Sequence, residues 1–170
     1  MYNVGQLVVY GGHGVCRVDG VVERTVDRKQ VTYYVLKPLD HGQTEFYVPV
    51  HNPVALAKLR CLLTKQELVS LLRSEKSLEN CWIPEENRRK QRYKELINSS
   101  DFASLVQMVN TLLIHRQQQL EAGKKFHLCD ENFLRDAKRI LDSEICVVLE
   151  IPAGEVPEAI ESLLMEEISR

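Results

Sequence analysis

The sequence of 170 residues carries a formal net charge of −2 and contains 44% hydrophobic residues, enough for one good core or two small ones. A near-neutral chain is not expected to coat nucleic acid in bulk, although it can carry one basic patch. Five widely spaced cysteines, and no apolar run near the roughly 20 residues that span a bilayer, predict a cytoplasmic protein with free thiols.

The composition changes near Leu63, and we place a domain boundary there. Six of the eight glycines precede residue 64, in a segment rich in Val, Tyr and Thr, whereas the rest is rich in Leu, Glu, Lys, Arg and Gln. Residues 1–63 contain seven Lys or Arg against five Asp or Glu, while residues 152–170 contain one against five. The sequence therefore predicts a strand-rich domain at 1–63 and a helical domain at 64–170.

Four short runs of β-branched and aromatic residues predict strands in the first domain: QLVVY, GVCRVDGVVER, VTYYVLKPL and TEFYVPV. The stretches between them, GGHG, DRKQ and DHGQ, are compatible with tight turns. The next stretch, HNPVALAKLRCLL, is ambiguous between a fifth strand and an extended connector. We expect a five-stranded antiparallel barrel of the SH3-like or Tudor-like kind, or a strongly bent sheet.

Apolar residues at steps of three and four, with capping and terminating residues, predict about five helices in the second domain. The first starts at a capping box at residues 64–67, and the second has Pro84 in its first turn. The third starts at Asp101 and the fourth near Asp130, and the fifth runs from near Glu155 through Ile168. The predicted fold class is therefore α+β, a small barrel followed by an all-helical domain.

The Gly-rich stretch at residues 10–14 could be a ligand loop or a turn. A phosphate-binding loop needs a lysine and a following helix, whereas GGHG lacks the lysine and VCRVDGVV after it alternates like a strand. His13 with Cys16, and His127 with Cys129, are two candidate metal pairs, but zinc needs three or four converging ligands. We therefore predict a hairpin turn, no metal site and no cofactor.

The sequence lacks a recognisable catalytic arrangement. No Ser or Cys lies on a nucleophile turn, and the carboxylates fall on amphipathic helix faces. We predict that the protein is not an enzyme, with a cysteine-dependent enzyme or sensor as the alternative.

The segment CWIPEENRRKQRYK joins the single tryptophan to a basic run. One interpretation is a solvated helix whose start is packed into the core by Trp82. The other is that the basic residues contact phosphates while Trp82 stacks on or wedges into a nucleic acid. Spacing alone leaves both open and slightly favours the first, because four-residue steps place the basic side chains on more than one face.

Two segments, YNVGQLVVYGGHGVCRV and YYVLKPLDHGQTEFYVPVHN, resemble the polymerase-interacting module shared by CarD-like bacterial transcription regulators and the transcription-repair coupling factor. The matching residues are Val4-Gly5, Val8-Val9-Tyr10, His13-Gly14, Tyr34-Val35-Leu36 and Val48-Pro49, whereas Gln6 replaces the usual Asp and Gly11 the usual Pro. A tryptophan near the start of the helical part also fits CarD-like proteins. The sequence has no Walker motif, so the repair helicase itself is excluded.

The resemblance implies a barrel that binds the β subunit of bacterial RNA polymerase and a helical domain that reaches the upstream edge of the melted promoter. There the family's tryptophan wedges in the minor groove and impedes closing of the bubble, with little sequence specificity. Residue by residue, Arg24 matches a basic position on the family's polymerase-facing surface and Trp82 matches the wedge, whereas Tyr47 stands where relatives can have a basic residue. We therefore predict polymerase contacts at Arg24 and Tyr47, and DNA contacts at Trp82 and at the basic residues Arg88, Arg89, Arg92 and Lys94. The alternative is a polymerase-binding adaptor without DNA contact.

Overall fold

The structure, a computed structural model, describes residues 1–39, 44–74 and 79–165. Within these ranges an antiparallel sheet of five strands is followed by helices, which confirms the predicted α+β class. The strands are β1 (Leu7–Tyr10), β2 (Val15–Val26), β3 (Lys29–Pro38), β4 (Phe46–Pro49) and β5 (Leu59–Cys61). The helices are α1 (Pro53–Leu56), α2 (Lys65–Leu72), α3 (Glu86–Asn98), α4 (Phe102–Glu121), α5 (Leu128–Leu149) and α6 (Val156–Met165).

The strands follow the order β4-β3-β2-β1-β5. The short strands β4 and β5 lie at the two edges and do not pair with each other, so the sheet of the described residues is open rather than closed into a barrel. The ambiguous stretch after β4 contains both a single helical turn, capped by the Asn52 side chain, and the fifth strand. The predicted turn at residues 40–43 lies outside the described residues.

The sheet has a core of its own. Alternate residues of neighbouring strands face it, because successive side chains of a strand point to opposite faces. Its buried members are Val8, Cys16, Val18, Tyr34, Leu36, Val48 and Leu59. The β2–β3 hairpin continues past these residues to a two-residue turn in which Asp27 and Arg28 have positive φ angles of 49° and 63°.

The helical part follows the predicted boundaries closely. The capping box is present, since the Thr64 side chain accepts from the Glu67 amide and the Glu67 carboxylate accepts from the Thr64 amide. Helix α3 begins at Glu86 rather than around Pro84, because the Glu85 carboxylate caps it by accepting from the next amides. The predicted position Ile168 lies outside the described residues.

The helices bury a second, larger core. Its fully buried large side chains come from α2, α3, α4 and α5: Leu68, Tyr93, Leu105, Met108, Leu112, Ile140 and Ile145. The three positions in α4 recur at steps of three and four, as expected of a helix that presents one face to a core. The tryptophan for which both core packing and DNA contact were considered, Trp82, is partly buried against this core.

A buried ion pair joins the last strand of the sheet to α5. Glu144 is 1% exposed, and its two carboxylate oxygens accept from Arg60 Nη1 and Nη2 at 2.6 Å each. The amide of Leu63 donates to the same carboxylate at 3.0 Å, and Arg60 Nε donates to the backbone oxygen of Ser100 at 2.5 Å. The carboxylate therefore connects β5, the start of the helical part and α5 at one point.

The Gly-rich stretch is a turn, as predicted, and it also contacts the helices. Gly11–His13 forms one 3-10 turn, closed by a bond from the Tyr10 amide to the Gly14 oxygen at 2.9 Å. Arg139 of α5 donates to the Gly12 oxygen at 2.7 Å. Gly14 has a φ of 74°, and a Cβ at this position would lie 2.6 Å from the Ser143 hydroxyl oxygen.

We expect Glu144→Gln to lower the free energy of unfolding by about 2–3 kcal/mol, because the substitution leaves the Arg60 charge without its counter-charge. Urea denaturation measures this loss. Glu86→Gln is the control, since Glu86 pairs with Lys90 at an exposed position of α3 and its loss should leave the midpoint unchanged. Equal midpoints for Glu144→Gln and wild type would contradict the role given to the ion pair.

Gly14→Ala should destabilise the protein more than Gly5→Ala does. Both glycines have positive φ angles, 74° and 86°, so both substitutions strain the backbone by about 1–2 kcal/mol. Only the Cβ at position 14 meets another atom, and moving Ser143 away breaks its bond from the Val15 amide. Thermal melting of the two variants compares their losses of stability. Equal melting temperatures would count against the close contact between Gly14 and Ser143 of α5.

Candidate functional site

The two residues predicted to contact polymerase lie together on one face of the sheet. The Arg24 guanidinium carbon of β2 is 3.8 Å from the ring centroid of Tyr47 on β4, across the intervening strand β3. The Tyr47 hydroxyl donates to Glu45 at 2.7 Å, and Tyr33 of β3 meets the Tyr47 ring edge-to-face. A cation above an aromatic face is attracted by the ring quadrupole, so the sheet presents these side chains in a fixed arrangement.

A row of exposed ion pairs continues from this point across the sheet. Lys37 contacts Glu45 at 3.3 Å and Asp19 at 2.7 Å, and Asp19 accepts from Arg17 at 3.0 Å. Hydrogen bonds from Tyr47 and then from Lys37 hold the pKa of Glu45 below its ordinary value. Exposed pairs of this kind add little stability, but they orient the side chains that a partner would meet. We call Arg17, Asp19, Arg24, Lys37, Glu45 and Tyr47 the sheet surface.

Trp82 is held between two other side chains. Its ring stacks on the His115 imidazole of α4 with centroids 3.5 Å apart and planes 21° apart, and the Arg89 guanidinium carbon lies 4.3 Å from the indole centroid. The indole therefore makes a stacking contact and a cation–π contact inside the protein. Trp82 is partly buried against the helical core, so only part of its ring is open to a partner.

Arg89, one of the positions predicted to contact DNA, makes a buried ion pair. It is 5% exposed, and Nε and Nη2 donate to the two carboxylate oxygens of Asp130 at 2.9 and 3.0 Å. Its Nη1 donates to the backbone oxygens of Ile83 and Pro84. A guanidinium with these partners is committed to the interior, so Arg89 positions Trp82 instead of facing solvent.

The other three positions of α3 that were predicted to contact DNA, Arg88, Arg92 and Lys94, are exposed. Arg88 and Arg92 are one turn apart and line a shallow depression together with Ile83, which follows Trp82 in the chain. Arg92 also contacts Glu95 at 3.4 Å. Lys94 is two residues from Arg92 and so faces another side of the helix. The structure thus brings Arg88 and Arg92 together beside the Trp82 segment and separates Lys94 from them.

Trp82, Arg89, His115 and Asp130 form one group of contacting side chains, which we call the Trp82 cluster. The sequence analysis did not assign His115 or Asp130 to any functional site. Asp130 was assigned only to a helix start, and it lies 41 positions from its partner Arg89. His115 lies within α4, where its spacing carries no signal. Burial is the main cause that lowers the pKa of His115 below its ordinary value.

Within residues 1–39, 44–74 and 79–165, no group of three or more His, Cys, Asp or Glu side chains is arranged to hold a metal ion. None of the five cysteines, which all lie in these ranges, forms a disulfide. None of the described helices combines the length and the apolar character needed to cross a membrane.

Two family models match consecutive parts of the chain. The CarD-like/TRCF RID domain matches residues 2–60, and the CarD C-terminal domain matches residues 67–161. The chain belongs to the CarD-like family. CarD-like proteins are non-enzymatic transcription factors, and these domains identify a transcription-associated regulator that interacts with RNA polymerase. A search of curated proteins found no individual match.

We expect acidification from pH 7 to 5 to destabilise wild type more than His115→Phe. The folded state holds the pKa of His115 below the value near 6.5 of the unfolded chain, so the unfolded chain binds more protons as the pH falls through this range. The stability that the neutral imidazole contributes is present above the unfolded pKa and is lost as the pH falls through the folded pKa. Phenylalanine retains the stacking but does not titrate. Chemical denaturation at several pH values measures the difference, with His127→Phe as the control, and parallel pH profiles for His115→Phe and wild type would exclude this role.

Proposed function

We propose that the chain binds the β subunit of bacterial RNA polymerase through its sheet surface and stabilises the promoter open complex through its helical part. The observation that carries the proposal is the Arg24–Tyr47 contact, because two positions implied by family resemblance are brought together on an exposed face. In this role the protein acts in the cytoplasm at the nucleoid, and residues 1–63 and 64–170 form its polymerase-binding and DNA-contacting units.

The chemistry of the sheet surface fits a protein partner better than a nucleic acid. Its cations alternate with carboxylates, since Lys37 lies between Asp19 and Glu45. Phosphates would be repelled by two of these three groups, whereas a protein surface can present both signs of charge. Tyr47 adds an aromatic contact area, and aromatic residues and arginines are enriched at the energetic centres of interfaces.

DNA contact is assigned to the exposed side chains around Trp82. Arg88 and Arg92 supply positive charge for phosphates, and such contacts carry no base information, so promoter specificity comes from the polymerase. Trp82 acts as a wedge that His115 and Arg89 hold rigid, which supports insertion without a change of rotamer. A regulator that binds the open complex better than the closed one shifts their balance by its differential affinity, and 1.4 kcal/mol corresponds to about tenfold.

The adaptor is the second candidate, and one observation favours it. Trp82 stacks on His115 and contacts Arg89, which is itself paired with Asp130, so this group of side chains also has the features of a structural core. An adaptor would bind polymerase through the same sheet surface and leave DNA untouched.

The test measures polymerase affinity and open-complex lifetime with the host's own RNA polymerase. Arg24→Glu should weaken polymerase binding about tenfold or more, because it removes the cation–π contact and places a carboxylate over the Tyr47 ring. The double variant Arg88→Glu/Arg92→Glu and the single variant Trp82→Phe should bind polymerase as wild type does, but shorten the lifetime of the open complex. Phenylalanine keeps an aromatic ring next to His115 but lacks the second ring of the indole.

Lys124→Glu, in the loop between α4 and α5, is the control for a charge reversal elsewhere. Normal lifetimes with both the Trp82 and the Arg88/Arg92 variants would replace the DNA-contacting regulator with the adaptor. Normal polymerase binding by Arg24→Glu would remove the sheet surface from the proposal.

A further inference from the structure

A groove of about 720 Å³ lies between the sheet and α5, on neither of the surfaces described above. One wall is formed by Val15 at the start of β2 and by Leu39 just after β3, and the other by α5 and the turn at residues 151–153. Its volume falls within the range of sites that bind ligands and peptides, roughly 300–1,000 Å³.

The α5 wall is one continuous stripe of the helix. Its lining residues fall at positions 135, 138, 139, 142, 143, 146 and 147, which is a repeat of three and four. Twelve residues of helix extend about 18 Å at 1.5 Å each, which matches about five residues of an extended peptide. The groove is therefore long and narrow rather than a round pocket.

The two ends of the groove differ in chemistry. Arg135, Lys138 and Arg139 line the end nearer the start of α5. Two carboxylates lie beside these three cations, because Asp142 lines the same end and Asp136 contacts Arg135 at 3.6 Å. The other end is lined by Cys146, Val147, Ile151 and Pro152. Leu39, which is 51% exposed, adds an apolar side chain to the opposite wall. Positive charge thus passes into apolar surface along a single helix face.

We infer that this groove binds an extended segment of a partner protein in which acidic residues are followed or preceded by apolar ones. The acidic side chains lie against Arg135 and Lys138, and the apolar side chains lie against Val147 and Ile151. Charge complementarity selects such a segment, because a basic segment would be repelled at one end and a fully polar one would leave the other end unfilled.

Nucleic acid fits the groove less well. Phosphates could meet the cations, but the apolar end and Asp142 would gain nothing from a uniformly charged backbone. A peptide segment bound in the groove would contact Val15 and Leu39 on one side and α5 on the other, so its binding requires both parts of the chain. The inference does not depend on the sheet surface or on Trp82.

The test uses two fluorescein-labelled ten-residue peptides, one with four Glu followed by Leu and Val residues and one with the order reversed. Fluorescence anisotropy with the full chain should show saturable binding of one of them, weakened by salt. Lys138→Glu with Arg135→Glu should lower its affinity about tenfold, because each exposed charge contact is worth about threefold to fivefold. Val147→Asp should lower the affinity by a similar factor, because it places a charge against the apolar residues of the peptide.

The matched control is Lys124→Glu with Lys125→Glu, which makes the same change of charge in the exposed loop between α4 and α5. Amide chemical shifts on titration should move at Leu39, Ser143, Val147 and Ile151, and a peptide with Lys in place of Glu should not bind. Absence of saturable binding by both acidic peptides, or equal loss of affinity with the control variant, would overturn the proposal. Loss of DNA affinity alone in Lys138→Glu with Arg135→Glu would replace it with a phosphate-binding face.

Discussion

The Glu144 carboxylate is the point on which the arrangement of the two parts of the chain depends. A charge taken out of water costs several kcal/mol unless it is paired and hydrogen-bonded, and Glu144 receives two bonds from Arg60 and one from the Leu63 amide. Satisfying this carboxylate requires β5, the residues after it and α5 to meet in one geometry. The Gly-rich turn then packs against α5 through Arg139 and Ser143, and the groove between the sheet and α5 follows from the same contact.

A second buried pair, Arg89 with Asp130, has the corresponding role within the helices. It fixes the start of α5 against α3 and places a guanidinium over the Trp82 indole. The same physical requirement, a partner for each buried charge, therefore decides which basic side chains remain available. Arg88 and Arg92 are exposed, whereas their neighbour Arg89 is withdrawn from the surface by its pairing with Asp130.

These constraints give the molecule two exposed faces of different chemistry. The sheet surface carries alternating charges and aromatic rings that are already oriented by one another, which suits a protein partner. The face around Trp82 carries exposed arginines next to a partly buried indole that is stacked on His115. The Glu144 ion pair joins the sheet to α5, so it also relates these two faces to each other.

The sequence by itself determined the elements, the class of fold and the family. Capping at residues 64–67, the helical periods and the turn at residues 10–14 depend on interactions within a few residues, so local rules predict them. Spacing could not show that Arg89 is buried while Arg88 and Arg92 are exposed, nor that His115 stacks on Trp82. The contacts responsible join residues far apart in the chain, such as Arg89 and Asp130. Only the tertiary structure decided which charges are buried and which rings stack on each other, since burial and pairing are properties of packed elements rather than of one segment.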